Sequence, residues 1–374
     1  MLDLLLQTAA RSAAEEGEED GGDWPSWKEL RRKASELAND ASESANAARV
    51  RLQRQISEAF SEENMMRVRD THFQKTMRIF EKLGNSAVPD AYDFFEDFPH
   101  CTHPPRDQGQ CGSCWAFSAT SVLGYSVCRQ AEELRRTSPT SARLPESWRL
   151  SAQPLVSCAD SSVCSDNGCC SGGSIYQALD WTDSHGTWAK SCAPYTSGRS
   201  QDEARDQCPN FSATCRASSN PALARRSYHA KSIRCATGEE AMKRLIHKYG
   251  PMTVTVKTAS NMFGYSGDGV FTRGDAEFQK NGESHAYHAM TITGWGTENV
   301  NGREIPFWWV ENSWGDIYED MPAGRKHMMR VLRGVDEMFA ESYGGCAVRT
   351  ADTKLNGSER AIDAASWPSS VSSK

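Results

Sequence analysis

The sequence is short of several things, and each shortage closes off a class of protein. No cysteine precedes Cys101, and none lies between Cys235 and Cys346. No run of 18 apolar residues exists, so no membrane-spanning helix is expected. Cations do not exceed anions: 42 Lys and Arg against 49 Asp and Glu leave a formal charge of -7, and nothing points to nucleic acid. No internal repeat is visible. The mildly apolar stretch Leu2 to Ala14 has no basic start and runs into the acidic Glu15–Asp20. Residues 1–14 therefore read as an incomplete signal region.

What is present is more specific. The 374 residues suffice for two medium domains plus an extra segment. Of 13 cysteines, all but Cys346 fall between Cys101 and Cys235. Such clustering points to disulfides and an oxidising compartment, which favours a leader that the sequence does not fully show. The odd count leaves at least one thiol unpaired, a candidate reactive group.

Residues 1–87 carry little bulk. Ser26-Trp-Lys-Glu29 fits a capping box behind Pro25. Trp27, Leu30, Ala34, Leu37, Ala41, Ala45, Ala48 and Leu52 then trace one helical stripe. A second helix is expected over Glu62–Leu83, stopped by Gly84. This segment reads as a helical pro-region docking on the rest, with a solvated or coiled-coil arm as the competing reading. From Val88, Trp, Cys, Gly and Pro rise together. Residues 88–226 read as mostly helical, with a largely buried helix after Cys114. Residues 227–350 read as β-rich: Pro251–Val256 and Met290–Thr293 alternate, and Phe307–Val310 and Met328–Leu332 add short buried strands. The polar, Ser- and Ala-rich residues 351–374 read as a disordered tail. The fold class is α+β, with a cleft between a helical and a β half.

The chemistry centres on Gln108-Gly-Gln-Cys-Gly-Ser-Cys-Trp-Ala-Phe-Ser118. A thiol attacks as thiolate, and Cys114 sits at a predicted helix start, where unpaired N–H groups favour the anion. Gly109 and Gly112 let the approaching backbone turn tightly. Gln108 and the Cys114 N–H can donate to an oxyanion on an attacked carbonyl. A nucleophilic cysteine also needs a base. His288 opens the strand-like run His288-Ala-Met-Thr-Ile-Thr-Gly-Trp-Gly296. Asn312, in Glu311-Asn-Ser-Trp314, can orient that imidazole, and Trp314 can shield their bond from water.

These blocks resemble the papain family of cysteine peptidases, whose signature includes Cys-Gly-[Ser/Ala]-Cys-[Trp/Tyr]. The spacing from Cys114 to His288 and Asn312 exceeds the family's roughly 130–150 residues, which implies insertions and resembles the cathepsin B branch. Val88-Pro-Asp-Ala-Tyr-Asp-Phe-Phe95, Arg106-Asp-Gln-Gly109, Cys170-Ser-Gly-Gly173, Cys192-Ala-Pro-Tyr195 and Leu332-Arg-Gly334 resemble that branch as well. The resemblance covers about residues 88–348. It implies a two-domain papain-like fold, helical on the left and β-barrel-like on the right. It implies a thiolate–imidazolium pair of Cys114 and His288, Asn312 as orienter, Gln108 in the oxyanion hole, and Gly172 and Gly173 pairing with substrate backbone. It further implies a zymogen whose own pro-region inhibits it, peptide or protein substrates, and a lysosome-like acidic or extracellular location. No cofactor is called for. It also implies disulfides 101–128, 111–170, 164–169, 158–208 and 192–215, which leaves Cys235 and Cys346 to each other.

Rival readings attach to each residue: a disulfide or inert thiol for Cys114, a core histidine for His288, ordinary turns for Asn312 and Gly172-Gly173, a loop amide for Gln108. His285 rivals His288 but lacks its spacing to Gly294-Trp-Gly296. Cys164-Ser-Asp-Asn-Gly-Cys-Cys170 has superficial zinc-ligand spacing, but His185 is poorly placed, so no metal is expected. A non-enzymatic scaffold binding proteins through the same cleft is the alternative function; relatives of that kind lose the nucleophile. Two triplets, Asn210-Phe-Ser212 and Asn356-Gly-Ser358, are glycosylation acceptors in form.

Three departures from the branch carry expectations. Cys192–Cys215 contains no His, whereas the branch's occluding loop uses histidines to bind a substrate's C-terminus. That predicts an endopeptidase with an open primed side. Tyr343 aligns with the Glu at the base of the branch's S2 pocket, with Glu341 two residues earlier, so apolar residues should be preferred to Arg at P2. Finally, Gly315–Lys326 departs from the family's Trp-Gly-containing turn, and nothing in the sequence explains it.

Overall fold

The computed structural model describes residues 87–137, 148–165, 168–198, 208–216, 227–281 and 284–351. The expected pro-region helices, the tail and the Asn356 triplet lie outside them.

Helix α2 is the axis of the molecule (after the short β1, Tyr92–Asp93, and α1, Phe94–Asp97). It runs from Cys114 to Thr137, about 36 Å at ~1.5 Å per residue. Residues 114–126 are buried all round, as their apolar composition requires. Trp115, Val122, Leu123 and Tyr125 are at most 1% exposed. Its small polar residues are satisfied within the fold: Thr120 Oγ1 donates to the Ala116 carbonyl at 2.8 Å.

On one flank lie α3 (Gln153–Cys158), the hairpin of β2 (Cys164–Ser165) and β3 (Gly168–Gly173), α4 (Ile175–His185) and α5 (Phe211–Arg216). Ser174 caps α4, accepting from the Gln177 N–H. On the other flank is a five-stranded antiparallel sheet. Its spine is β8 (Tyr287–Val300). β9 (Arg303–Glu311) pairs along one side, followed by β10 (Met328–Leu332); β5 (Met252–Lys257) and β1 share the other side end to end. β4 (His229–Ala236) pairs with β11 (Gly345–Ala351). Two-residue strands β6 (Lys280–Asn281) and β7 (Ser284–His285) pair beside β8, and a short helix, α7 (Ala340–Tyr343), leads into β11.

Two cores result. One collects Phe94, Tyr125, Trp148, Ile292, Trp295 and Trp308. The other collects Trp115, Leu123, Leu155, Leu179, Tyr287 and Val348. Chain order does not follow these layers. Tyr92 pairs with Trp295 in the sheet, while Ala230, Cys346 and Val348 pack with Trp115.

Six disulfides join Cys101–Cys128, Cys111–Cys170, Cys158–Cys208, Cys164–Cys169, Cys192–Cys215 and Cys235–Cys346. The pairing agrees with expectation throughout, and Cys164, Cys169 and Cys170 are consumed as bridges rather than thiolate ligands. Cys114 is the free cysteine.

Three features differ from the sequence reading. Helix α6 (Glu239–Tyr249) stands inside the β half. Its signals were present: Met242, Leu245 and Ile246 are buried at helical spacing, and Gly250 ends it at φ +103°. β8 and β9 form one long hairpin rather than two short strands. Asn301 and Gly302 supply its turn at φ 53° and 82°, the signature of a two-residue reverse turn. The alternation in β5 does not mark a solvated face, because all six of its residues are buried. Thr253 explains one of them: its hydroxyl donates to the Cys346 carbonyl at 3.2 Å and accepts the Cys346 N–H at 3.0 Å, tying β5 to β11.

Candidate active site

Cys114 is the first residue of α2, as the sequence predicts. The bend before it depends on close backbone approach as much as on turn freedom. Gly109 has φ +60°, whereas Gly112 is needed for room: a Cβ there would lie 2.6 Å from the Cys170 carbonyl oxygen. The Cys111–Cys170 bridge pins the same crossing.

The thiol is 1% exposed, and the Ala289 N–H donates to its sulfur at 3.4 Å. Ala289 follows His288, so the first turn of α2 and the start of β8 meet at the sulfur. His288 is also buried. Its Nε2 lies 2.8 Å from Asn312 Oδ1. An amide oxygen only accepts, so Nε2 carries the proton and Nδ1 is left with its lone pair. Trp314 stacks on the imidazole with centroids 4.8 Å apart, and Phe263 stacks on Trp314 at 5.1 Å. Aromatic carbon thus covers the His288–Asn312 bond.

Gln108 is buried and held at both ends of its amide. Oε1 accepts from Ser313 Oγ at 2.6 Å, and Nε2 donates to the Cys111 carbonyl at 3.0 Å. Nε2 has a second N–H. The loops carrying Gln108 and Asn312 are joined as well: Asp107 bridges Trp314, the Gln108 N–H donates to the Ser313 carbonyl, and the Gly315 N–H to the Arg106 carbonyl, each at 2.9 Å. Donor and orienter therefore sit on one clamped unit.

Burial dominates the electrostatics. It pushes the Cys114 thiol up to about 12, against the N–H groups of Ala289, Trp115 and Cys114. It pushes the His288 imidazole down to about 4, against the Asn312 bond. Burial disfavours a charge on either group by itself. A proton passing from sulfur to imidazole creates both charges together, and each then offsets the other.

Gly172 and Gly173 end β3. Gly173 is half-exposed and crosses flat over the indole beside the nucleophile: a Cβ would meet Trp115 at 2.6 Å. Tyr343 is half-buried, its hydroxyl 3.5 Å from that of Tyr287, the residue before His288.

Sequence reasoning passed over Ser313, which fixes Gln108, and Ala289, whose contribution is a backbone N–H. It also passed over Glu311, which meets Tyr125 at 2.6 Å and His103 at 3.2 Å in the interior. Glu311 and Ser313 flank Asn312 directly, so adjacency was the available signal. The side chain of His285 lies outside the described residues.

A buried thiol at a helix start, an imidazole on a neighbouring strand and an amide behind it define a papain-like thiol hydrolase site. Comparison with known proteins agrees. The family described as papain family cysteine protease matches residues 88–343. Over 262 residues the chain is 28% identical to cathepsin B-like CP2 of Giardia intestinalis, covering 69% of this chain and 74% of that one. Human tubulointerstitial nephritis antigen-like is 27% identical over 272 residues, covering 69% and 54%. Procathepsin B S9 from Trypanosoma congolense shares the fold at a TM-score of 0.53, with 24% identity over 72% of this chain and 80% of that one. The chain belongs to the papain family of cysteine proteases and is a cathepsin B-like cysteine peptidase. Among the described residues no helix is long and apolar enough to cross a membrane.

Proposed function

We propose that this peptidase is an endopeptidase acting through Cys114 and His288, with Asn312 orienting the imidazole and Gln108 serving the oxyanion. The observation that carries the reading is the convergence of the free Cys114, the Ala289 N–H and the His288–Asn312 bond at one buried point.

The reaction runs in two halves. The Cys114 proton passes to Nδ1 of His288, and the thiolate of the resulting thiolate–imidazolium pair attacks the peptide carbonyl carbon. The carbonyl oxygen becomes an oxyanion between the second Gln108 Nε2–H and the Cys114 N–H. The C–N bond breaks, His288 hands the proton to the leaving amine, and a thioester remains. Water then gives a proton to His288 and its oxygen to the acyl carbon; the C–S bond breaks and the proton returns. Gly172 and Gly173 hold the substrate backbone, Tyr343 floors the pocket for the second residue before the cleaved bond, and Trp314 keeps water from the His288–Asn312 bond. Residues 1–87 act as the inhibitory pro-region of a zymogen. The six disulfides support an oxidising location, lysosome-like or extracellular.

The test is covalent labelling with an irreversible thiol-directed peptidase inhibitor, comparing the wild type with Cys114→Ala. Label and peptide turnover should both vanish in the variant, with a loss of kcat on the order of 10³-fold or more. Equal labelling of both chains refutes the assignment.

A further inference from the structure

The segment Gly315–Lys326, unexplained by the sequence, places an aromatic side chain directly behind the orienting amide. Tyr318 is 0% exposed, and its hydroxyl oxygen accepts the Asn312 Nδ2–H at 2.7 Å. We infer that Tyr318 is a positioning residue for the catalytic pair, anchoring the far end of the Asn312 amide so that its oxygen stays on His288. The inference rests on the peptidase reading above and adds a residue to it.

An asparagine amide has two ends of nearly equal size and opposite hydrogen-bonding character. With the oxygen toward His288, Nε2 must hold the proton and Nδ1 is free to take one from sulfur. With the nitrogen toward His288, Nε2 must accept, the proton sits on Nδ1, and the base is in the wrong form. One contact decides between these, and a second holds the result in place. The Ser313 N–H donates to Oδ1 at 2.8 Å, and the Tyr318 oxygen receives Nδ2. A flipped amide would set its NH2 against the Ser313 N–H, donor against donor; the phenol oxygen, by receiving Nδ2, holds the amide in the orientation that Ser313 selects. Burial raises the Tyr318 pKa, so the phenol stays neutral.

The rest of the segment holds Tyr318 still. Its N–H donates to the Lys326 carbonyl at 2.9 Å, and its own carbonyl receives the Met321 N–H at 3.1 Å. The Asp320 N–H reaches the Ser266 carbonyl at 3.0 Å, and the Tyr265 ring packs at 5.4 Å. Gly267 makes room: at φ +103°, a Cβ there would lie 2.6 Å from Met321 Cγ. The unusual turn is therefore a mount for one hydroxyl.

The experiment is a double-mutant cycle of Tyr318→Phe and Asn312→Ala, with rates expressed per active site titrated by the covalent inhibitor. Phenylalanine keeps the ring and removes the acceptor. Tyr318→Phe should lower kcat about tenfold, the scale of one hydrogen bond, with KM unchanged. In the Asn312→Ala background the same change should cost nothing further, because no amide remains to orient. A wild-type kcat in Tyr318→Phe, or full additivity in the double variant, overturns the inference alone. A Tyr318→Phe chain with no titratable sites assigns the residue to folding and overturns it too. A wild-type chain that neither turns over peptide nor takes the label overturns the peptidase reading and this inference together.

Discussion

The Glu341 carboxylate accepts the indole N–H of Trp308 at 3.1 Å and the backbone N–H groups of Gly334 and Asp336 at 2.7 Å each. It is buried and fully engaged, so it is no candidate for reading a substrate side chain. Tyr343, two residues on, is the residue proposed to floor the S2 pocket. Matched fluorogenic peptides should show Leu preferred to Arg at P2 by roughly tenfold or more in kcat/KM, because a phenol offers a guanidinium no counter-charge. Tyr343→Glu should raise turnover of the Arg peptide. Glu341→Gln should leave that ratio alone and lower stability by about 1.5–3 kcal/mol, as a charged acceptor is lost. Equal wild-type rates for Leu and Arg peptides would refute the pocket assignment.

Gln108→Ala should reduce kcat by roughly 10²–10³ with little change in KM, the usual effect of removing one oxyanion donor. Ser313→Ala should act in the same direction and more weakly, since it only frees the amide that Ser313 Oγ anchors at 2.6 Å. A Ser313 variant more damaging than Gln108→Ala would contradict this ordering.

Stability should fall on acidification in two windows. Burial holds His288 at about 4 in the folded chain, below the 6.5 of a free imidazole, so the unfolded chain binds the extra proton first. Stability is full above pH 6.5 and is lost as pH falls toward 4. Burial shifts His327 and His247 in the same direction. Burial alone would raise the Glu311 carboxyl, but His103, His327 and Tyr125 outweigh it and hold it at about 2. That stabilisation is present above 4.5 and is lost toward pH 2. Urea midpoints measured from pH 7 to 2 test both windows; a midpoint constant from 6.5 to 4 would exclude a buried, neutral His288.

Cys235 and Cys346 close a loop with a sequence separation of 111 and lock β4 to β11. Replacing both with Ala should cost roughly 2–5 kcal/mol. Thermal melting checks this, and a melting point unchanged by the double replacement would show that the bridge constrains nothing.

The primed side gives a fifth expectation. Cys192–Cys215 carries no histidine to hold a substrate's C-terminal carboxylate. Internally quenched peptides should be cut far faster than dipeptides are released from peptide C-termini. Comparable rates would refute the endopeptidase reading.

Much of the site was legible in the sequence because its chemistry comes in short contiguous blocks. Gln108 to Ser118 carries the donor, the bend and the nucleophile, and Glu311 to Trp314 carries the orienter and its cover. The pairing of six bridges was legible only by resemblance, since spacing alone leaves the partners open. What stayed hidden depends on contacts across the fold. Tyr318 matters because a turn folds back behind Asn312. Glu311 matters because His103 comes to it from elsewhere in the chain. Helix α6 was overlooked for a different reason: its apolar face is short, and the strands around it set the expectation.

At the start of the described chain, the Trp295 indole N–H donates to the Pro89 carbonyl at 3.1 Å, and Tyr92 and Asp93 add a rung to the long strand that begins at Tyr287 and His288. If residues 1–87 are removed as proposed, this edge would act as a ruler for maturation. Trimming inward from any cut before Val88 would meet resistance where the backbone enters the sheet. Proteases of differing specificity would therefore leave nearly the same finished terminus, set by the stopping place rather than by the first cut.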